Sequence, residues 1–292
     1  MPPVTSSPMV HETVAALRAD IAAARAKGAR IALVPTMGAL HEGHLSLVRA
    51  AQAEAEHVVV SIFVNPTQFA PNEDFDAYPR DTEADLRQLA ELGVNAVFLP
   101  RIEEVYPAGF ATSVSVGGPS AGLESETRPH FFNGVALVVT KLLLAALPDI
   151  AIFGEKDYQQ LCVIRQFVRD LDIPVEIRGG ATVREADGLA MSSRNRYLTQ
   201  NDRARAAALP AALRAAVAAL EAGRDPQAVR AEATETLIAA GFVVDYLELR
   251  DANTLAPVGT GTTAARLLVA AKLGTTRLID NMAVAWPPAT GG

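Results

Sequence analysis

The chain has 292 residues, half of them hydrophobic and a fifth charged, which is enough for one large or two modest domains around a substantial core. Its net charge of −7 excludes a broad phosphate-coating face, which needs a basic excess, but leaves room for a small cationic pocket. A single cysteine, Cys162, cannot form an intrachain disulfide, so nothing speaks for an oxidising compartment.

From the start, "MPPVTSSPMVHETVAALRAD" has neither a basic n-region nor an apolar h-region, so no signal peptide is expected. Residues 12–27 read as an amphipathic helix with Val14, Leu17 and Ile21 on one side and Gly28 as its stop. "RIALVPT" then reads as a buried strand, "HLSLVRAAQAEA" as a helix and "HVVVSIFVN" as a second buried strand. After a polar loop, "TEADLRQLAELG" is a helix and "VNAVFLP" a third strand. "GVALVVTKLLLAALP" suits a buried helix; Lys141 interrupts it and it is too short to span a bilayer. "DIAIFGEKD" is a fourth strand with a loop at its end, "YQQLCVIRQFVRDL" a helix and "IPVEIRGG" a fifth strand. Continuous apolar strands alternating with helices predict a doubly wound parallel sheet, covered on both faces.

Near residue 182 the rhythm changes. Two Ala-rich helices, about 201–222 and 225–240, precede "FVVDYLELRD", "ARLLVAAKLG" and "TTRLIDNMAV", three strands of an expected antiparallel sheet. The predicted organisation is therefore α/β, with domains 1–182 and 183–292 and no low-complexity linker between them.

In an open parallel sheet, ligands bind beyond the carboxyl ends of the strands. "PTMGALHEGH" follows the first strand, "NPTQF" the second and "GEKD" the fourth. His41 and His44 lie three apart. A zinc-protease pair would lie four apart on a helix with Glu after the first, and His11, His57 and His130 show no ligand spacing. Three readings stand on the residues alone: a metal pair, two rings that cap or half-bury in a polar loop, and an anion site. The last is favoured. Gly38 and Gly43 allow close backbone approach, and a helix beginning near His44 would aim free N–H groups and its positive dipole end at a phosphate.

Lys156, one of only four lysines, sits between Glu155 and Asp157 after an apolar strand. A solvated surface pair is the bland reading; a point charge for phosphate is the functional one. In "GLAMSSRNRYL", Gly188, Ser192 and Ser193 predict a mobile loop, and Arg194 and Arg196 supply cationic forks that could close over a triphosphate.

Taken together, "HEGH" resembles the HIGH signature and "MSSRN" the KMSKS-type loop of the nucleotidyltransferase superfamily. The longer strings "PTMGALHEGHLSLV", "SIFVNPTQF", "FGEKDYQQL" and "READGLAMSSRNRYL" resemble the pantoate–β-alanine ligase family. The likeness runs from about residue 12 to about residue 285 and includes "YLELRD" and "GTTRLIDN". It implies a Rossmann-like domain for 1–182, binding nucleotide and pantoate, and a smaller α+β lid domain for 183–292 that carries the MSSRN loop. The reaction it implies is activation of (R)-pantoate by Mg²⁺–ATP to pantoyl adenylate, then attack by β-alanine to release pantothenate and AMP.

By the same resemblance, Met37, Gly38, Ala39, Leu40, His41, Glu42, Gly43 and His44 should line the ATP site, with both histidines at the phosphates and His44 as proton donor. Gly154, Glu155, Lys156 and Asp157 should hold ATP, with Lys156 on its phosphates. Val183, Met191, Ser192, Ser193 and Arg194 should complete the site. His44, His41, Lys156 and Arg194 are the implied catalytic set. Gln68 and Gln160 should bind pantoate through its hydroxyls, with Asn65 and Gln68 near the β-alanine amine. A homodimer is implied, and neither nucleic acid nor membrane is an expected partner. At "RDTEADL", Ala84 stands between Glu83 and Asp85 where relatives are more acidic, so Mg²⁺ is assigned to no side chain and is expected on ATP and water. "TRPHFFNG" is less basic than the family pattern and is given no role.

Rival readings are another adenylyl- or cytidylyltransferase, whose product would keep the nucleotide, and a non-catalytic nucleotide sensor. "NPTQF" and "DYQQL" favour the ligase over the first, and His44, Lys156 and Arg194 speak against the second. An aminoacyl-tRNA synthetase is disfavoured by the acidic charge.

Overall fold

Six strands form one parallel sheet in the order β1-β4-β3-β2-β5-β6. They are β1 (Met9–His11), β2 (Ile31–Thr36), β3 (His57–Ile62), β4 (Ala96–Phe98), β5 (Ile150–Gly154) and β6 (Glu176–Gly180). The structure is a computed structural model and describes residues 7–69, 75 and 78–287. The polar stretch between β3 and the next helix falls partly outside those residues.

The helices of this part are α1 (Val14–Arg25), α2 (Glu42–Gln52), α3 (Thr82–Glu91), the short α4 (Ile102–Val105) and α5 (Glu124–Thr127), α6 (Phe131–Ala146) and α7 (Tyr158–Asp170). Leu47, Val48 and Ala51 of α2 and Leu89 of α3 bury one sheet face together with Val34, Val60 and Ile152. On the other side α1 packs on β2 and α6, and α6 packs on β2. Leu17 and Ile21, one turn apart on α1, are both buried, each worth about 1.5–3 kcal/mol relative to exposure. In α6, apolar on nearly every side, the lone charge Lys141 places its ammonium 4.9 Å from the ring centre of Phe110.

The chain divides into two compact units, Met1–Glu155 with Val163–Ala181, and Lys156–Cys162 with Thr182–Gly292. The segment Lys156–Cys162 thus groups with the C-terminal residues, whereas sequence periodicity alone keeps it in 1–182. In the second unit, β7 (Phe242–Asp251), β8 (Ala265–Leu273) and β9 (Thr276–Val284) form an antiparallel sheet in that order. The helices α8 (Gln200–Ala206), α9 (Ala208–Glu221) and α10 (Pro226–Ala239) precede it; α9 packs on β9, and α10 on β7 and α9. Leu213, Leu220, Leu237, Leu267 and Val269 are buried at the centre of this core.

Two elements differ from the periodicity reading. β1 adds a sixth strand, paired with β4 at the sheet edge; it is three residues long with Met9 and Val10 exposed, so it carries no apolar pattern. The first Ala-rich helix is two, α8 and α9, meeting at Ala207. Pro210 supplies the reason: it has no N–H for the carbonyl of Ala206, and its ring crowds that carbonyl.

Candidate active site

The strand order places β3 on one side of β2 and β5 on the other, so the order in which strands are added across the parallel sheet reverses between β2 and β5. In such sheets the crevice beyond the carboxyl ends at this point is where ligands bind. The segment from Met37 to His44 leaves β2 there, and Gly154 ends β5.

His41 is the N-cap of α2, which begins at Glu42 rather than near His44. The His41 ring accepts the amide of Gly43 at Nδ1 (3.1 Å), and His44 accepts the amide of His41 at its own Nδ1 (3.3 Å). This is a capping box built from two imidazoles, with ring centres 4.1 Å apart. With Nδ1 an acceptor, the neutral ring carries its hydrogen on Nε2. The rings thus take up the amides of His41 and Gly43, two of the backbone donors that the anion reading leaves open to a phosphate. Among the described residues, no group of three or more His, Cys, Asp or Glu is placed to hold a metal ion.

The turn before α2 is held from a distance. Asp85 of α3, buried, accepts the amides of Ala39 (2.9 Å) and Leu40 (2.8 Å) with its two carboxylate oxygens. Ala39 is left-handed at φ 51°, a cost of about 1–2 kcal/mol. Two charge-assisted bonds, at about 1.5–3 kcal/mol each, outweigh it. Gly38, at φ 79°, has no room for a side chain, since a Cβ there would lie 2.9 Å from Asp85 Oδ2. Leu40 packs in the sheet core, and Glu42 is exposed and paired with Arg49.

After β3, Asn65 caps the short turn Pro66–Gln68 and is buried, as is Gln68. Asn65 donates from Nδ2 to Gln68 Oε1 (3.2 Å) and to the Gly134 carbonyl (3.2 Å), and Gln68 Nε2 lies 3.0 Å from Met37 Sδ. Plain surface exposure, the bland expectation for a glutamine, does not apply to Gln68. Tyr106 donates its hydroxyl to Asn65 Oδ1 (2.8 Å), and burial pushes that phenol above its usual range, partly offset by a hydrogen bond with Thr67. Arg128 donates to the Gln68 carbonyl (3.1 Å) and lies 3.9 Å over the Phe131 ring. At Gly134 the helix α6 comes so close that a Cβ would stand 2.4 Å from the Thr67 carbonyl oxygen.

Lys156 and Gln160 belong to the second unit and are both half-buried. The Lys156 ammonium is 3.9 Å from Asp157, too far for a tight pair. Asn281 of β9 donates from Nδ2 to the Lys156 carbonyl at 2.8 Å. In the same unit Met191 donates its amide to the Val183 carbonyl (2.9 Å), closing the hairpin that turns at Gly188. Ser192 caps the 3₁₀ turn Ser193–Tyr197 by accepting the Arg194 amide (3.2 Å), and Ser193 is buried.

Sequence reading missed Asp85, Tyr106, Arg128 and Asn281. Asp85 stood in view as an acidic helix start, which looks the same whether it caps its own helix, as Asp81 does, or holds another loop.

Fold and site together define an α/β enzyme of the nucleotide-using class, with a HxGH turn after the first central strand. The family model for pantoate-beta-alanine ligase matches residues 9–283. A pantothenate synthetase of Mesorhizobium japonicum is 59% identical over 280 residues, covering 96% of this chain and 99% of that protein. One from Caulobacter vibrioides is 55% identical over 283 residues, covering 96% and 99%. The crystal structure of pantothenate synthetase from Thermus thermophilus superposes with a TM-score of 0.87 at 46% identity, covering 94% of this chain and 98% of that one. A Francisella tularensis pantoate-beta-alanine ligase, complexed with beta-gamma ATP and beta-alanine, gives 0.78 at 34% identity, covering 94% and 97%. The chain belongs to the pantoate-beta-alanine ligase family.

Proposed function

We propose that this ligase joins (R)-pantoate to β-alanine in two steps at the expense of ATP. A pantoate carboxylate oxygen bonds to the α-phosphorus as the bond to pyrophosphate breaks, giving pantoyl adenylate. The β-alanine nitrogen then bonds to the acyl carbon as the carbon–oxygen bond to AMP breaks, giving pantothenate. The carboxylate is already an anion at neutral pH, so the first step needs charge compensation rather than a base. In this reading Nε2 of His41 and His44 donates to phosphate oxygens, with His44 at the leaving oxygen, and Lys156 and Arg194 offset the charge that moves to pyrophosphate. Gln68 and Gln160 take the hydroxyls of pantoate, and Asn65 and Gln68 receive the amine, each amide able both to donate and to accept.

The observation that carries the reading is the double imidazole cap, because acceptance at Nδ1 makes Nε2 the donor on both rings. ATP enters as its Mg²⁺ complex, the ion being held by phosphates and water, as that ion commonly is. Cytoplasmic location and a homodimer belong to the same proposal. The single free cysteine suits the first, and sedimentation at micromolar concentration tests the second.

The test is an assay with ATP, pantoate and β-alanine in which each is omitted in turn. AMP should appear only with all three, and enzyme-bound pyrophosphate release should need only ATP and pantoate. A product that keeps the nucleotide would favour a nucleotidyltransferase instead.

A further inference from the structure

The edge strand β9 buries two adjacent polar residues, Asp280 and Asn281. Successive side chains of a strand point to opposite faces. Asp280 pairs across the sheet with Val269, on the face packed against the helices, and Asn281 with Leu268 on the other. Burying a carboxylate or a carboxamide is costly unless its hydrogen bonds are made. Here each is spent on a segment that carries a cation. Asp280 takes Arg184 in a two-pronged pair, at 2.7 and 3.0 Å. The same guanidinium donates to the Gly188 carbonyl (3.1 Å), so it pins the turn that leads into Met191–Arg194. Asn281 accepts from Arg266 Nε at Oδ1 (2.7 Å) and donates to the Lys156 carbonyl at Nδ2 (2.8 Å). Arg266 itself lies 4.0 Å over the ring of Tyr158, two residues beyond Lys156, and Tyr158 donates its hydroxyl to the Ala252 carbonyl at 2.9 Å.

We infer that Asp280 and Asn281 are positioning residues that hold the Arg194 turn and the Lys156 segment to the two faces of one strand, setting where both cations meet the nucleotide. The inference rests on the proposed roles of Lys156 and Arg194. Lysine has a long flexible stem, so the place of its ammonium depends on where its peptide is fixed. A misplacement of about 1 Å in such a group can cost about a hundredfold in rate. Asn281 fixes that peptide, and Asp280 does the same for the other segment through Arg184.

The experiment first establishes pantoate-dependent pyrophosphate release by the wild-type enzyme; without it the proposed function falls, whatever the variants do. Asn281→Ala and Asn281→Asp are then compared with wild type. The aspartate keeps an acceptor for Arg266 and loses the donor to Lys156. Both should raise KM for ATP, and Kd for α,β-methylene ATP, by at least about tenfold, while KM for β-alanine moves by less than about twofold. The decisive readout is the combination with Lys156→Ala. In that background Asn281→Ala should change single-turnover adenylate formation by less than about twofold, because the group it positions is gone. The same design pairs Asp280→Asn with Arg194→Ala, and the Asn281 series stands if Asp280→Asn does not fold. Equal factors in both backgrounds, or an unchanged KM for ATP with turnover scaled to the folded fraction, would overturn the inference.

Discussion

Asp85 and Leu40 are joined by a 2.8 Å hydrogen bond from the Leu40 amide to the Asp85 carboxylate, whose second oxygen takes the amide of Ala39. A side chain of α3 thereby fixes the turn that delivers both histidines to the start of α2. Asp85→Ala leaves two buried amides without an acceptor, at about 1–3 kcal/mol each. Urea unfolding at pH 7 should show a loss of about 2–6 kcal/mol, with Asp85→Asn in between. Wild-type stability in Asp85→Ala would mean that the turn holds itself.

His44→Ala and Lys156→Ala should each slow adenylate formation by at least about a hundredfold, near 2.7 kcal/mol in the barrier, in single-turnover assays. The histidine change also removes one member of the cap, a stability cost of about 1 kcal/mol that leaves the fold intact. Normal turnover by either folded variant would remove that residue from the mechanism.

Much of this was legible in the chain because parallel strands buried on both faces write themselves as apolar runs. The runs of β2, β3 and β5 and the loops at the strand ends all follow from local pattern. What local pattern cannot carry is a bond between distant residues. Asp85 to Leu40 spans 45 positions and Asn281 to Lys156 spans 125. A histidine cap is among the readings the sequence leaves open, but imidazoles are not ordinary capping groups, so local pattern favours a helix start near His44 when His41 is already the cap. Asn65 and Gln68 were visible as polar residues after a strand. Their burial, and the approach of α6 at Gly134, come only from packing.

Asp149, at the amino end of β5, accepts the Ile31 amide at 2.7 Å and Arg25 at 3.1 Å, tying β5 to β2. Burial alone would raise its pKa, but the Ile31 amide and Arg25 together hold the carboxyl below its usual range. A carboxyl depressed in the folded state contributes stability above its unfolded pKa of about 3.9 and loses it as pH falls through the folded value. Asp149→Asn should therefore be less stable than wild type at pH 7, and the gap should narrow steadily below about pH 4. A gap independent of pH would show that the charge contributes nothing.

The central claim, that pantoate is activated by transfer of an adenylyl group to its carboxylate, is tested most directly with pantoate labelled by ¹⁸O in both carboxylate oxygens. After complete turnover with ATP and β-alanine, mass spectrometry should find one labelled oxygen in AMP and the other in the amide of pantothenate. Label in pyrophosphate or inorganic phosphate, with unlabelled AMP, would contradict it.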